Sequence, residues 1–275
     1  PPAENPGVQL GLALAAAAKH GRDKLTLTGA QRIASFGAWA EQLIAESTGK
    51  NGKALIPLEG EPLGKPEIYG KDRVFIDLRL EDDRDSARDA ALAALEAAGH
   101  PVIRITVTAP AHIGQEFFRL EIATAVAGAV MGINPFDQPD VEAAKIKTRE
   151  LTSAFEKSGA LPAETAVASD GSIAIYTDAA NADALRKAGA GSDLASWLKA
   201  HLGRIKANDY VAALAYLDRN DANIAAIQNL RMAIRDNKNV ATCVGFGPRF
   251  LHSTGQAYKG GPNNGVFLQI TADNA

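Results

Sequence analysis

The sequence predicts an α/β protein: a doubly wound parallel sheet followed by a second, smaller α/β unit. Three observations carry that expectation. Short aliphatic or β-branched runs alternate with longer segments of helical periodicity through the first 158 residues. Glycine and proline punctuate the joints between them. The pattern changes around Gly159-Ala-Leu-Pro162 and then resumes with shorter elements, which sets the expected domains at 1–158 and 159–275.

Taken in order, residues 7–20 carry apolar positions of helical spacing, and Gly21 is placed to stop the helix. Residues 23–28 alternate and read as a strand. Residues 33–46 place apolar side chains at 33, 36, 40, 43 and 44, a helical stripe. A short strand is expected at 54–58, then a Gly/Pro-punctuated loop to Lys71, then a buried strand at 73–80. The Ala/Leu-rich stretch 85–98 is a helix closed by Gly99, and 101–107 is a β-branched strand. A long helix at 111–131 is apolar on most sides and therefore central. Another is expected at 139–156, with Pro139 and Asp140 at the end where the helix dipole favours them. In the second unit, strands are expected at 172–177, 209–217, 240–244 and 266–270, and helices at 183–187, 194–201 and 222–236. Residues 245–262 are rich in glycine and read as a loop. Such sheets bind ligands beyond the carboxyl ends of their strands. The loop after residue 28 and the loop at 134–139 are candidates for that edge.

Composition excludes several classes. The chain has 275 residues, 46% hydrophobic and 22% charged, with a formal net charge of −3, so no basic excess points to nucleic acid. The apolar runs at 10–18 and 122–133 are too short to span a bilayer, and no membrane partner is expected. The single cysteine, Cys243, forbids an internal disulfide and fits a cytoplasmic setting. Its apolar neighbours mark it as a buried thiol rather than a nucleophile. The opening Pro1-Pro2-Ala3-Glu4-Asn5-Pro6 reads as a linker from a longer polypeptide.

The chemistry-bearing residues cluster in three stretches. Gln42 and Glu46 stand one helical turn apart, just before Ser47-Thr48-Gly49-Lys50-Asn51-Gly52-Lys53. A lone glutamate at a helix end is ordinarily a solvated surface group. A carboxylate is nevertheless unfavourable at that end of the dipole, which suggests retention for proton transfer beside a carbonyl. Gln42 is placed to hold hydroxyls. The loop resembles a phosphate cradle in composition, without Walker spacing, and equally reads as a solvated turn. In the second stretch, Gln138 and Lys145 lie two helical turns apart, where a lysine can donate to a ring or hydroxyl oxygen. In the third, His252 sits among Arg249, Ser253, Thr254, Gln256 and Lys259, a polar setting suited to a sugar or phosphate that equally reads as an ordered surface loop. The five histidines and one cysteine show no zinc spacing, and no metal is expected.

Gln42-x-x-x-Glu46-Ser-x-Gly-Lys50 and Asn134-Pro-Phe-Asp-Gln-Pro-x-Val-Glu-x-x-Lys145 together resemble the signature segments of glucose-6-phosphate isomerases. Leu251-His-Ser-Thr-Gly-Gln256 with Lys259-Gly-Gly-Pro262 resembles the isomerase half of bacterial transaldolase/glucose-6-phosphate isomerase fusions. The resemblance implies a flavodoxin-like sugar-isomerase fold, no cofactor, and interconversion of glucose 6-phosphate and fructose 6-phosphate through a cis-enediol(ate). It implies Glu46 as the base, Gln42 and Gln138 as sugar contacts, and Lys145 as a ring-opening residue. The family's ring-opening histidine finds no clean match between Gly70 and His112, and His252, in its polar His-Ser-Thr-Gly context, is expected to supply that function instead. The family's phosphate-binding Ser/Thr loop and glycine-flanked arginine match nothing in these residues, so the N-terminal remainder of a parent enzyme is an expected partner. A homodimer with shared sites is another. The alternative is a phosphosugar-binding domain without turnover.

Overall fold

The computed structural model describes residues 1–272. The chain forms two compact units that part at 137/138 and 206/207, rather than at the expected 158/159. The first unit combines residues 1–137 with 207–275, and the second is residues 138–206. The joining of distant segments has a physical cause. The last three strands of the chain pack on the edge of the first sheet, so residues expected in a separate domain complete the first one.

In the first unit, β1 (Lys24–Gly29), β2 (Ile56–Leu58), β3 (Arg73–Leu80) and β4 (Val102–Val107) form a parallel sheet in the order β2-β1-β3-β4. That is the strand order of the flavodoxin-like doubly wound sheet, as far as it extends. Alternation along β3 explains how both faces are covered. Val74, Ile76, Leu78 and Leu80 face α1 (Pro6–Lys19), α2 (Ser35–Thr48) and α4 (Gly114–Met131), sharing a core with Leu14, Ile44 and Leu120. Phe75 points the other way, to Leu92 and Leu95 of α3 (Ser86–Ala97) and to Tyr69. α1 and α4 approach closely because Gly11 faces Ala123: a Cβ there would lie 2.4 Å from the Ala123 carbonyl oxygen.

β7 (Tyr210–Tyr216), β8 (Ala241–Phe246) and β9 (Gly265–Thr271) form a second parallel sheet, ordered β8-β7-β9. Central β7 is buried on both faces and accordingly carries small and apolar residues without polar alternation. Tyr210, Ala212 and Leu214 pack with Ile56 and Leu58 of β2, while Ala213 and Ala215 meet Ile227 of α8 (Asp221–Lys238). A buried polar network crosses the same junction. Arg73 donates to Glu61 at 2.9 and 3.1 Å and to Thr26 at 2.6 Å, and Thr242 of β8 donates to Glu61 at 2.9 Å.

The segment expected to be a glycine-rich loop instead holds a 3₁₀ turn, Arg249–Leu251, and helix α9, Ser253–Gly260. Glycine disfavours helix by propensity. Here packing overrides it: a Cβ on Gly49 would lie 2.4 Å from Ala257 Cα, so the Gly49 backbone receives α9 directly.

The second unit contains α5 (Val141–Ser158), α6 (Ala179–Lys187), α7 (Leu194–Leu202) and a two-stranded antiparallel hairpin of β5 (Ala168–Asp170) and β6 (Ile173–Ile175). The hairpin turns at Gly171, whose φ of 58° suits glycine, and replaces the single strand expected at 172–177. Its core is small: Leu185, Trp197, Ala182 and Ala200. No residue of α5 is buried. Among the described residues no helix is long and apolar enough to cross a membrane.

Candidate functional site

Glu46 occupies the last turn of α2 and is half-buried, with Gln42 exposed one turn earlier. That last turn holds no basic residue, so the glutamate meets the negative end of the helix without a cation in its own turn. The helix stops where Thr48 turns inward: its hydroxyl donates to Ile44 O at 2.7 Å and accepts from Leu55 N at 2.9 Å.

The loop that resembles a phosphate cradle in composition has a different job. Lys50 is only 1% exposed, and its ammonium donates to the carbonyls of Asn134 (3.3 Å), Pro135 (2.9 Å) and Asp137. The Asp137 carboxylate is 3.6 Å away. Lys53 donates to Met131 O at 2.6 Å, satisfying a carbonyl at the end of α4. These lysines are spent on main-chain acceptors left open where α4 ends and the 134–137 loop begins. They fasten the start of the second signature rather than present an anion site.

That second signature is divided between the units. Asn134 makes an Asx turn, its side chain accepting from Phe136 N at 3.0 Å, and this half belongs to the first unit. Gln138 and Lys145 belong to the second unit, and both are exposed. The structure therefore places them in a compact body other than the one that carries Glu46, Gln42 and His252.

His252 is exposed and stands immediately before α9, without a side-chain capping hydrogen bond. Its segment is held at both ends along α2. Arg249 donates to the Glu41 carboxylate at 2.7 Å and to Ala38 O at 2.5 Å, and Gln256 donates to Gly49 O at 2.8 Å. The two stretches thus run in the same direction, 249 to 257 beside 38 to 49. His252 falls between these fixed points in sequence. Most of the polar residues that marked this stretch serve the fold: Thr254 and Gln256 are buried, and Lys259 donates to Leu251 O at 3.4 Å.

Sequence reasoning overlooked Glu41. It is 5% exposed, and burial pushes its carboxyl up from 4.5 to about 7, opposed by Arg249 and reinforced by nearby Glu59. The signal was available: Glu41 lies one turn before Ile44 and Ala45, on the buried side of the helix. Cys243 is buried as expected, and burial pushes its thiol up to about 12, far from a thiolate at neutral pH.

A cleft of about 280 Å³ opens at the carboxyl ends of β1 and β2, between Leu27, Gly29, Phe36, Glu59 and Glu116. Glu61 also reaches it, paired with Arg73, and Glu116 sits 2.9 Å from Arg119, so among the described residues Glu59 is the lining carboxylate without an ion pair. Glu46 does not belong to this lining. Among the described residues no group of three or more His, Cys, Asp or Glu side chains is arranged to hold a metal ion.

The architecture is that of an α/β protein built on parallel sheets, with a carboxylate at the end of α2 and the segment of His252 bonded to the same helix. Comparison with family models returns no match. Comparison with curated proteins is more informative. The chain is 31% identical over 165 residues to the glucose-6-phosphate isomerase of Rubrobacter xylanophilus, covering 46% of this chain and 38% of that one. It is 29% identical over 155 residues to a probable glucose-6-phosphate isomerase of Halobacterium salinarum, covering 44% and 36%. A solved structure described as a putative sugar binding protein from Salmonella typhimurium aligns at 12% identity with a TM-score of 0.31, covering 97% of this chain and 75% of that one. The match spans less than two-fifths of the length of these curated relatives. Over part of its length, then, the chain is similar to glucose-6-phosphate isomerases.

Proposed function

We propose that this chain carries the proton-transfer half of an aldose–ketose isomerase of the sugar-isomerase type, interconverting glucose 6-phosphate and fructose 6-phosphate. The observation that carries the reading is Glu46, half-buried at the end of α2 without a cation in its turn, with the His252 segment secured alongside. The partial similarity to glucose-6-phosphate isomerases supports the same substrate class.

In this reading Glu46 removes the proton from C2 of the open-chain aldose, whose neighbouring C1 carbonyl acidifies it. The electron pair moves into a cis-enediol(ate), in which O1 gains a proton and O2 gives one up, and Glu46 returns the carbon-bound proton to C1 to give the ketose. No electrons leave the sugar, so the step needs no redox partner. Gln42 orients hydroxyls, and His252 moves the proton that opens the ring. The resemblance assigns sugar and ring-oxygen contacts to Gln138 and Lys145, which belong to the second unit. Lys50 and Lys53 being engaged with main-chain carbonyls, the phosphate grip is assigned to a further part of the natural polypeptide or to a second copy of it. A fused transaldolase partner and a cytoplasmic setting belong to the same proposal.

Replacing Glu46 by Gln tests it. Removal of a general base should lower kcat by roughly 10²–10⁴-fold while sugar-phosphate affinity changes little. Equal turnover by both forms would reject Glu46 as the base. Binding by both forms without turnover by either would favour a phosphosugar-binding domain.

A further inference from the structure

The segment from Arg249 to Gly260 is short in every part. It has one 3₁₀ turn and a helix of eight residues, below the length at which a helix holds its own shape in water. Several contacts fix it, among them Gly52 N donating to Gly260 O at 2.8 Å and Tyr258 stacked on Tyr210, ring centroids 6.0 Å apart. Arg249 is bonded to Glu41 and Ala38 O; Phe250 is buried against Tyr216, ring centroids 5.0 Å apart; Gln256 is bonded to Gly49 O. The Arg249 and Gln256 contacts reach α2 at points 8 to 11 residues apart, roughly 12–16 Å of helix. His252 lies between them, so its place along α2 depends on both.

We propose that Glu41 and Arg249 form a clasp that sets His252 in register with Glu46, which makes them positioning residues for the reaction assigned above. The inference rests on that assignment for its catalytic consequence, but the clasp itself is a property of the fold. The ion pair joins residues 208 positions apart in sequence, and Arg249 is its half-open member: its side chain is 43% exposed, that of Glu41 7%. The remaining charged or titratable groups facing Glu41 are Glu59 beyond β2, Arg231 on α8, Cys243 on β8 and Tyr258 on α9. Arg249 is the one whose bonds tie the His252 segment down. Ionised Glu41 gives a charge-assisted contact, and neutral Glu41 a weaker one. The clasp therefore tightens as the carboxyl ionises, about pH 7.

The test uses the full natural polypeptide with Arg249→Ala, Arg249→Lys and Glu41→Gln. Amide hydrogen exchange reads the clasp directly. Protection of residues 253–260 should fall about tenfold or more in Arg249→Ala, with β7 and β8 unchanged, and return in large part in Arg249→Lys. Steady-state kinetics with glucose 6-phosphate reads the positioning. In Arg249→Ala, kcat should fall about 10–100-fold with KM within about threefold, again with partial recovery in Arg249→Lys. In Glu41→Gln, the step in kcat that Glu41 contributes near pH 7 should vanish, leaving the acid-side level. Unchanged protection in Arg249→Ala, or no recovery in Arg249→Lys, overturns the clasp. Lost protection with unchanged kcat overturns the positioning role. If the unaltered protein does not turn over the sugar phosphate, the isomerase reading and the positioning role fail together, and exchange still decides the clasp.

Discussion

Three glutamates in the first unit occupy three different environments. Glu61 is fully buried, bonded twice to Arg73 and once to Thr242. Glu41 is buried with one arginine, and burial outweighs that partner, so its carboxyl sits near neutral. Glu46, five residues further along the same helix, is half-buried and has no cation in its turn. One residue type thus serves as a structural anchor, a titrating clasp and a candidate base. The number of partners relative to the depth of burial distinguishes them.

Removing the Glu61 carboxylate should have the largest effect on stability. Glu61→Ala leaves Arg73 buried and uncompensated, and chemical denaturation should show a loss of about 3–5 kcal/mol. A loss below about 1 kcal/mol would erase the distinction between Glu61 and the other two.

Glu41 should behave in the opposite sense. Its folded value, about 7, lies above its ordinary 4.5, so the folded state holds the proton more tightly than the unfolded one. The stability this contributes is full below pH 4.5 and is lost as pH rises through 7. At about 1.4 kcal/mol per pH unit, the interval corresponds to roughly 3 kcal/mol. Glu41→Gln, which keeps an acceptor for Arg249, should remove that dependence. Relative to the unaltered protein it should be more stable at pH 8 than at pH 5, as thermal unfolding at the two pH values will show. The local and global effects differ in sign because ionisation tightens the contact to Arg249 while costing desolvation.

Gly49→Ala should cost about 1–3 kcal/mol, since its Cβ would meet the α9 backbone at Ala257. Denaturation measures this, and Glu46→Gln, at a half-buried helix end, should stay within about 0.5 kcal/mol. That contrast sharpens the comparison: the helix end tolerates loss of its carboxylate but not a methyl group where α9 docks.

Much of this was legible in the chain. The aliphatic runs at β1, β3 and β4 and the helical stripe of α2 follow from local periodicity, and the parallel sheet follows from their alternation. What was not legible depends on distant packing. The return of β7, β8 and β9 to the edge of the first sheet is set by contacts such as Thr242 with Glu61, 181 residues apart. α9 was hidden because Gly255 and Gly260 weaken the helical signal, while its stability comes from α2. Lys50 and Lys53 kept the composition of an anion loop, and only the position of the 134–137 carbonyls reveals where their donors go.

The most direct measurement follows solvent deuterium into the sugar. The full natural polypeptide and its Glu46→Gln form would each be incubated with fructose 6-phosphate in D₂O, and incorporation at C1 followed by NMR. The account predicts incorporation by the unaltered protein and a rate lower by roughly 10²–10⁴-fold in the variant, with binding retained. Equal incorporation by the two would contradict it.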